Sequence, residues 1–463
     1  MNAIIFSAIW GVVMMFLGVF MKSKSAPKYL AILGLAMIII TNSLEYATGK
    51  SMIMLNIHEM LRFDRFNLVF INIAYISTLI YFLLSGSAIE KVGQHVGEYF
   101  ALIFFVLCGV AIAASFNTLL MLFIGIEIIS IPLYILTSSD KRNLKSNEAG
   151  LKYFLMGAFS TGIMLMGIAF VYGGNANASF YIDQIQLGVG KMPVMIAVGL
   201  LFIMVSMSFK VSAAPFHFWT PDVYDGAPTV FTSFMSTVVK VAGFFAFLRL
   251  FEHAFGTMHD QWQKLIVIIT VSTLLIGNVT AVFQQSVKRM LAYSSIAQAG
   301  FMLLALFALN DKAKEGILLY SAAYSLATIG MFGILAKMED FTIDGFNGLS
   351  KTHPLLGFSA TVCLMSLTGI PLTAGFQSKF YMLMAAVENG HQFWIVIVAV
   401  LFAAISAYYY FRVIQAIYFK DPTSESNINS TVSAAFNLML ILIVSMIVII
   451  GIYPEIIIGW MYR

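Results

Sequence analysis

Charge is what this chain has least of. Only 10% of its 463 residues are Asp, Glu, Lys or Arg, and 60% are hydrophobic, whereas a water-soluble domain carries roughly 25% charged residues. So few charges cannot cover a water-facing surface, which excludes an ordinary soluble globule. The net charge of +4 is spread thinly and forms no basic stripe, so nucleic acid is not a partner that the sequence supports. The two cysteines, Cys108 and Cys363, stand alone in apolar runs. Without a CxxC pair or a histidine cluster there is no pattern for a zinc, iron–sulfur or haem site. Phosphate-cradling GKS/T loops, a GxGxxG after a strand and a nucleophile elbow are absent too.

What the chain has in abundance is long apolar runs, with 41 Phe and 28 Met and a mean hydropathy of +0.90. A membrane-crossing helix needs about 20 mostly apolar residues. Such runs recur near 2–21, 29–48, 66–86, 98–115, 117–138, 150–173, 193–220, 228–251, 264–283, 289–309, 314–336, 354–388, 393–419 and 434–459. The expected fold is therefore all-α and integral to the membrane, with about fourteen transmembrane helices. Strands are excluded because an open sheet edge cannot face lipid. Met1 to Phe20 lacks a basic leader and a small-residue cleavage pattern, so it reads as a retained first span and not as a signal peptide.

With fourteen spans both termini share a side. One set of loops holds twelve Lys and Arg, among them Lys22, Lys24, Lys141, Arg142 and Lys145, and the other holds eight, among them Arg62, Arg65 and Arg463. The rule that basic loops stay inside then puts both termini on the outer side.

Two spans are interrupted, by Lys210-Val211-Ser212-Ala213-Ala214-Pro215-Phe216-His217 and by Thr368-Gly369-Ile370-Pro371-Leu372-Thr373-Ala374-Gly375. Each proline removes a backbone donor, freeing the carbonyl of Val211 in one case and of Leu367 in the other. At membrane depth such groups are tolerated only inside protein or beside a wet cavity. The breaks fall in the seventh and twelfth spans, five helices apart, so a second copy would run in the opposite sense. Paired interrupted helices mark an inverted repeat in transporters; two proline kinks without function are the plainer alternative.

Glu127, Lys152, Lys210, Lys240 and Lys379 lie inside apolar runs. A charge at a helix centre costs about 2.5–3.5 kcal/mol on insertion-based scales. Scaffold helices would not carry five of them, so they are expected to face the bundle interior, pair and meet water. Glu127 needs a partner from another helix, and Lys152 and Lys210 are both candidates. Pairing would hold both charges, and separation would let the lysine give up its proton, which makes a proton switch. A static pair that fixes helix register is the alternative. Lys210 and Lys379 each adjoin a break, where Ser212, Thr373 and Ser378 can order water. Lys240 is placed to continue a relay, or else simply reaches a cavity with its long stem. His217, among Phe216, Phe218 and Trp219, is either a relay group or a structural histidine. Asp222 and Asp225 read as loop or cap residues, and Arg249 and Arg412 as span-end residues that snorkel or pair.

Phe123 to Leu136 (FIGIEIISIPLYIL), Glu148 to Tyr172 (EAGLKYFLMGAFSTGIMLMGIAFVY), Phe209 to Val223 (FKVSAAPFHFWTPDV), Lys288 to Gly300 (KRMLAYSSIAQAG) and Gly369 to Phe380 (GIPLTAGFQSKF) resemble subunit N of bacterial respiratory NADH:quinone oxidoreductase, complex I. The resemblance implies two inverted five-helix repeats, each with one broken helix. It divides the chain into helices 1–3 over 1–97, a first antiporter-like repeat over 98–252, a second over 253–420, and a last helix over 421–463. It implies proton-pathway roles for Glu127, Lys152, Lys210, His217, Lys240 and Lys379, and no cofactor in this chain, the flavin, iron–sulfur clusters and quinone site belonging to partner subunits. M-type and K-type neighbours, the lateral helix of the L type and the lipid bilayer are the implied partners. The implied location is the bacterial inner membrane, with both termini periplasmic. Related M-type chains tend to have a glutamate where Lys379 stands, which favours the N type. A subunit of a multi-chain sodium/proton antiporter, or a non-conducting structural subunit, are the alternatives.

Overall fold

The computed structural model describes residues 1–20, 25–53, 56–188, 191–390, 392–422, 428 and 432–462. Lys22, Lys24 and Arg463, which entered the loop-charge comparison, lie outside the described residues. The described chain is helical, with isolated β-bridges in place of strands. In order the helices are α1 (Asn2–Phe20), α2 (Ala26–Thr48), α3 (Arg65–Ile89), α4 (Val96–Ser115), α5 (Leu119–Thr137), α6 (Leu144–Gly174), α7 (Val194–Lys210), α8 (Trp219–Gly226), α9 (Thr229–Phe234) and α10 (Lys240–Phe255). The second half adds α11 (His259–Val282), α12 (Val287–Ala308), α13 (Asp311–Leu335), α14 (Leu349–Thr352), α15 (Pro354–Thr368), α16 (Ala374–Glu388), α17 (Trp394–Phe419), α18 (Ala434–Ile452) and α19 (Glu455–Tyr462).

Eleven of these segments are long and apolar enough to cross a membrane, and one of them, Thr229–Val282, is 54 residues long and runs through α9, α10 and α11, enough for two crossings. The shorter α7 and α15 are continued past a break by α8 and α16. Counted so, the crossings among the described residues number fourteen, as the apolar runs indicate. Side-chain caps set several starts: Asp64 accepts from Asn67 N, Thr118 from Met121 N, and Asn310 from Ala313 N. Each satisfies an amide that the first helical turn leaves unpaired.

The two halves repeat one plan in opposite senses. In the first, α4 packs on α5 and α6 on α7; in the second, α11 packs on α12 and α13 on α15 and α16. The α6–α7 crossing needs two glycines. A Cβ on Gly199 would stand 2.7 Å from Gly167 O, and one on Gly167 would stand 2.8 Å from Gly199 O. Backbones can approach this closely only where both side chains are absent, the device that membrane helices use in place of a hydrophobic drive. Gly199→Val is therefore expected to push α7 off α6, costing about 2–3 kcal/mol. Thermal unfolding of the membrane complex carrying this variant checks it.

α13 lies at the centre, buried from Glu315 to Leu335, and α12 is buried over most of its length. α13 touches α3, α9, α15, α16 and α18, so it ties the N-terminal helices to the second repeat. α1 and α2 lie at the edge. They present Phe16, Val19, Tyr29 and Ile40 outward, an apolar surface that suits lipid or a neighbouring subunit.

Candidate functional site

The first break is a short irregular loop anchored by its neighbours. Phe209 O accepts from Ser212 N at 3.0 Å and from Trp219 Nε1 at 3.1 Å, and Ser208 O accepts from Ala213 N at 2.8 Å. Ala214 N donates to Thr273 Oγ1 of α11 at 2.9 Å. Trp219 stacks on Tyr153 of α6, the ring centroids being 4.7 Å apart. Ser212 takes the left-handed conformation, φ +62°, which non-glycine residues rarely adopt. This turn ends α7 at Lys210 and carries the chain on to His217.

Lys210 points into the bundle. Its Nζ donates to Ser130 Oγ of α5 at 2.9 Å and to Thr161 Oγ1 of α6 at 3.3 Å. Glu127 lies one turn before Ser130 on α5 and is the acidic group whose charge acts on Lys210. The two make no direct bridge, and Glu127 Oε1 is buried with no hydrogen-bond partner. Of the two partners open to Glu127, Lys210 is thus the nearer in the fold. Lys152 turns elsewhere, to Glu148 at 2.8 Å and Asp222 at 2.9 Å, with 40% of its side chain exposed. The reason is length. With 31 residues α6 is about 46 Å long, well beyond a hydrocarbon core of about 30 Å, so its first turns emerge from the bilayer. The expectation of a lysine buried in the apolar run at 152 is corrected accordingly.

His217 is buried, lies with its ring tilted 30° to that of Phe218, and leaves its Nδ1 without a partner among the described residues. Lys240 opens α10 directly after a π-helical turn, Met235–Val239, a feature frequent at functional sites. Only 1% exposed, it donates to both Ser295 O and Ser295 Oγ at 2.9 Å, with the Tyr224 ring 5.9 Å away.

The second break ends α15 at Gly369, whose φ of +89° closes the helix. The carbonyl that Pro371 frees, Leu367 O, accepts from Lys379 Nζ and from Gln298 Nε2, each at 2.8 Å, and Lys379 Nζ also donates to Thr368 O at 2.8 Å. The ammonium thus caps the negative end of the half-helix, with the Phe301 ring 4.7 Å away. Thr373 and Ser378 donate to Ile370 O and Gly375 O, so they hold the turn first and retain only acceptor capacity for water. Around this point Tyr320 donates to Gln298, Gln298 Nε2 reaches Tyr410 at 3.3 Å, and Ser294 bonds Tyr410.

Among the described residues no carboxylate stands within the 4.0 Å ion-pair distance of Lys210, Lys240 or Lys379. Lys240 and Lys379, both buried, and Lys210, half-buried, are held by hydroxyls and carbonyls, which solvate an ammonium without fixing its charge.

Three charged groups hold more than their sequence positions indicated. Asp222 accepts from both Lys152 and Arg289, tying α6 to α12 across α8. Lys288, in a loop by sequence, is 4% exposed and caps α8 by donating to Asp225 O and Ala227 O at 2.7 Å. Arg249, 3% exposed, bonds Phe116 O, Asn67 Oδ1 and Asp64 Oδ2. The one sequence signal for Asp222 and Lys288 was their nearness to the first break and to Arg289.

Comparison with known proteins gives the family and the fold. The NADH:quinone oxidoreductase/Mrp antiporter transmembrane family matches residues 116–406. The NADH-quinone oxidoreductase subunit N of Cytophaga hutchinsonii is 38% identical over 406 residues, covering 86% of this chain and 87% of its own. That of Flavobacterium psychrophilum is 35% identical, with 99% of both chains covered. A chain from respiratory complex I of Thermus thermophilus superposes with a TM-score of 0.84 at 29% identity, over 99% of both chains. A chain of the Mrp complex from Dietzia gives 0.86 at 17% identity over 99% of this chain and 96% of its own, a likeness of fold alone. On this evidence of sequence and fold the chain belongs to the subunit N family of NADH-quinone oxidoreductases, the multi-pass membrane subunits of bacterial-type complex I.

Proposed function

We propose that the chain passes protons across the membrane through Glu127, Lys210, His217, Lys240 and Lys379, driven by quinone reduction in partner subunits. The observation that carries this reading is a set of three lysines inside the bundle, two of them buried and Lys210 half-buried, without carboxylate partners among the described residues. A lysine kept for stability would be paired, because an unpaired buried charge is expensive; a lysine kept to exchange its proton must not be locked. The units 98–252 and 253–420 would each supply one broken helix to the route. Lys152, with Asp222 and Arg289, would form its charged mouth, lining a cavity of about 250 Å³ on the side opposite the termini.

Moving one charge against 100 mV takes about 2.3 kcal/mol, so the redox step in the partner subunits must deliver that for each proton. The neighbours in this reading are M-type and K-type chains and the lateral helix of an L-type chain, and both termini face the periplasm. The cofactors of the redox step reside in other chains. Lys210→Ala and Glu127→Ala should leave the complex assembled and lower proton pumping in proteoliposomes. Normal pumping by both at full assembly would exclude the relay, and loss of assembly would indicate a structural role. The Mrp likeness keeps a sodium/proton exchanger as the rival, and pumping that depends on sodium concentration would favour it.

A further inference from the structure

Between Lys240 and Lys379 the route described so far has a gap. Lys240 ends on Ser295 of α12, and Lys379 ends on the carbonyls of α15. Tyr324 of α13 stands in that gap. It is 4% exposed and lies beside Ser295 and Thr328, yet its hydroxyl makes no hydrogen bond of normal geometry. A buried hydroxyl left unpaired costs about 1–3 kcal/mol, so a phenylalanine would serve better if packing were the only task.

The hydroxyl-bearing residue also lines a small cavity. Gln298, Tyr324, Ser366, Gly375, Ser378 and Lys379 contribute to its wall, and its volume is about 10 Å³. That is the room one water molecule needs, and a buried water needs two to four polar partners. Lys379 uses two of its three N–H groups on Leu367 O and Thr368 O, leaving one to donate. The Tyr324 hydroxyl supplies a second partner, and the Ser378 oxygen can accept.

We propose that Tyr324 and one water held in this cavity form the bridge by which a proton passes between Lys240 and Lys379. This deepens the relay reading and rests on it. In the step, the Lys240 ammonium gives a proton to Ser295 Oγ as Ser295 gives its own to Tyr324. Tyr324 gives its proton to the water, and the water gives one to the Lys379 amine. Each oxygen loses one O–H bond and gains one. Lys240 ends as the amine and Lys379 as the ammonium. Ser295 Oγ donates to Ala292 O at 2.7 Å, so its hydroxyl must rotate toward Tyr324 before the step.

The test compares two variants in the assembled complex with a matched control. Tyr324→Phe removes the hydroxyl and keeps the ring; Ala323 also lines the cavity, and Ala323→Val fills it and keeps the hydroxyl. Tyr81→Phe is the control, because Tyr81 also carries a buried unpartnered hydroxyl but lies away from the cavity. Tyr324→Phe and Ala323→Val are expected to lower proton pumping by about tenfold or more, as loss of a positioned proton-transfer group does, while Tyr81→Phe pumps normally. Tyr324→Phe that assembles and pumps normally overturns the proposal. Failure of Tyr324→Phe to assemble overturns it too, since the hydroxyl would then hold the fold. If Lys379→Ala loses pumping and Tyr324→Phe does not, the bridge alone falls. If Lys379→Ala pumps normally, the relay reading falls with it.

Discussion

Replacing Lys240 by methionine is expected to stop proton transfer through this subunit while leaving it folded in its complex. Lys240 is 1% exposed, and among the described residues its ammonium bonds Ser295 and lies near the Tyr224 ring. Methionine fills nearly the same volume with no charge to desolvate. Replacing buried ionic groups with apolar ones of similar size is often neutral or stabilising by about 1–4 kcal/mol, so the melting temperature should hold or rise. Ser295 O and Oγ lose a donor, but Oγ keeps its bond to Ala292 O. Pumping should fall by about 100-fold, since the methionine sulfur cannot carry a proton. Proton uptake by proteoliposomes, beside thermal unfolding of the same sample, reads both effects. A complex that melts earlier and pumps normally would make Lys240 a structural residue.

Arg249→Ala is expected to do the reverse. Arg249 is as buried as Lys240 and Lys379, but its guanidinium holds Phe116 O at 2.9 Å, Asn67 Oδ1 at 3.0 Å and Asp64 Oδ2 at 3.2 Å. These three acceptors join α10 to the start of α3 and to the turn before α5. Truncation leaves two buried acceptors unpaired and one carboxylate without its partner. Such a break costs about 3–5 kcal/mol, and the lower end applies because Asp64 is 39% exposed. The amount of assembled complex in membranes should drop several-fold. Arg249→Lys should not restore it, since a lysine lacks the planar fork that reaches several acceptors at once. Normal assembly of Arg249→Ala would show that the three contacts do not support the fold.

The contrast between these two residues shows where the sequence was readable. Helix number, the two breaks and the burial of Lys240 and Lys379 followed from local facts: the length of apolar runs, proline chemistry, and the expense of charge in lipid. The carbonyl of Leu367, freed by Pro371, accepts Lys379 as that chemistry requires. Partnerships were not readable, because they depend on which helix faces which. Lys152 and Lys210 looked equivalent as partners of Glu127 until the length of α6 carried Lys152 to the surface. Asp222 and Lys288 looked like loop residues because the fold of α8 against α12, which gives them partners, leaves no local pattern. Nor did the π turn before Lys240 announce itself, since Met235–Val239 contains neither proline nor glycine.

Buried ammonium groups held by neutral oxygens are useful for proton transfer only if water reaches them. A density map of the assembled complex that resolves water would test this most directly. Ordered water is expected from Lys210 past Ser212, through the surroundings of Lys240, and on to Lys379. A dry interior, with each lysine enclosed by side chains and no water between them, would contradict proton transfer along these residues.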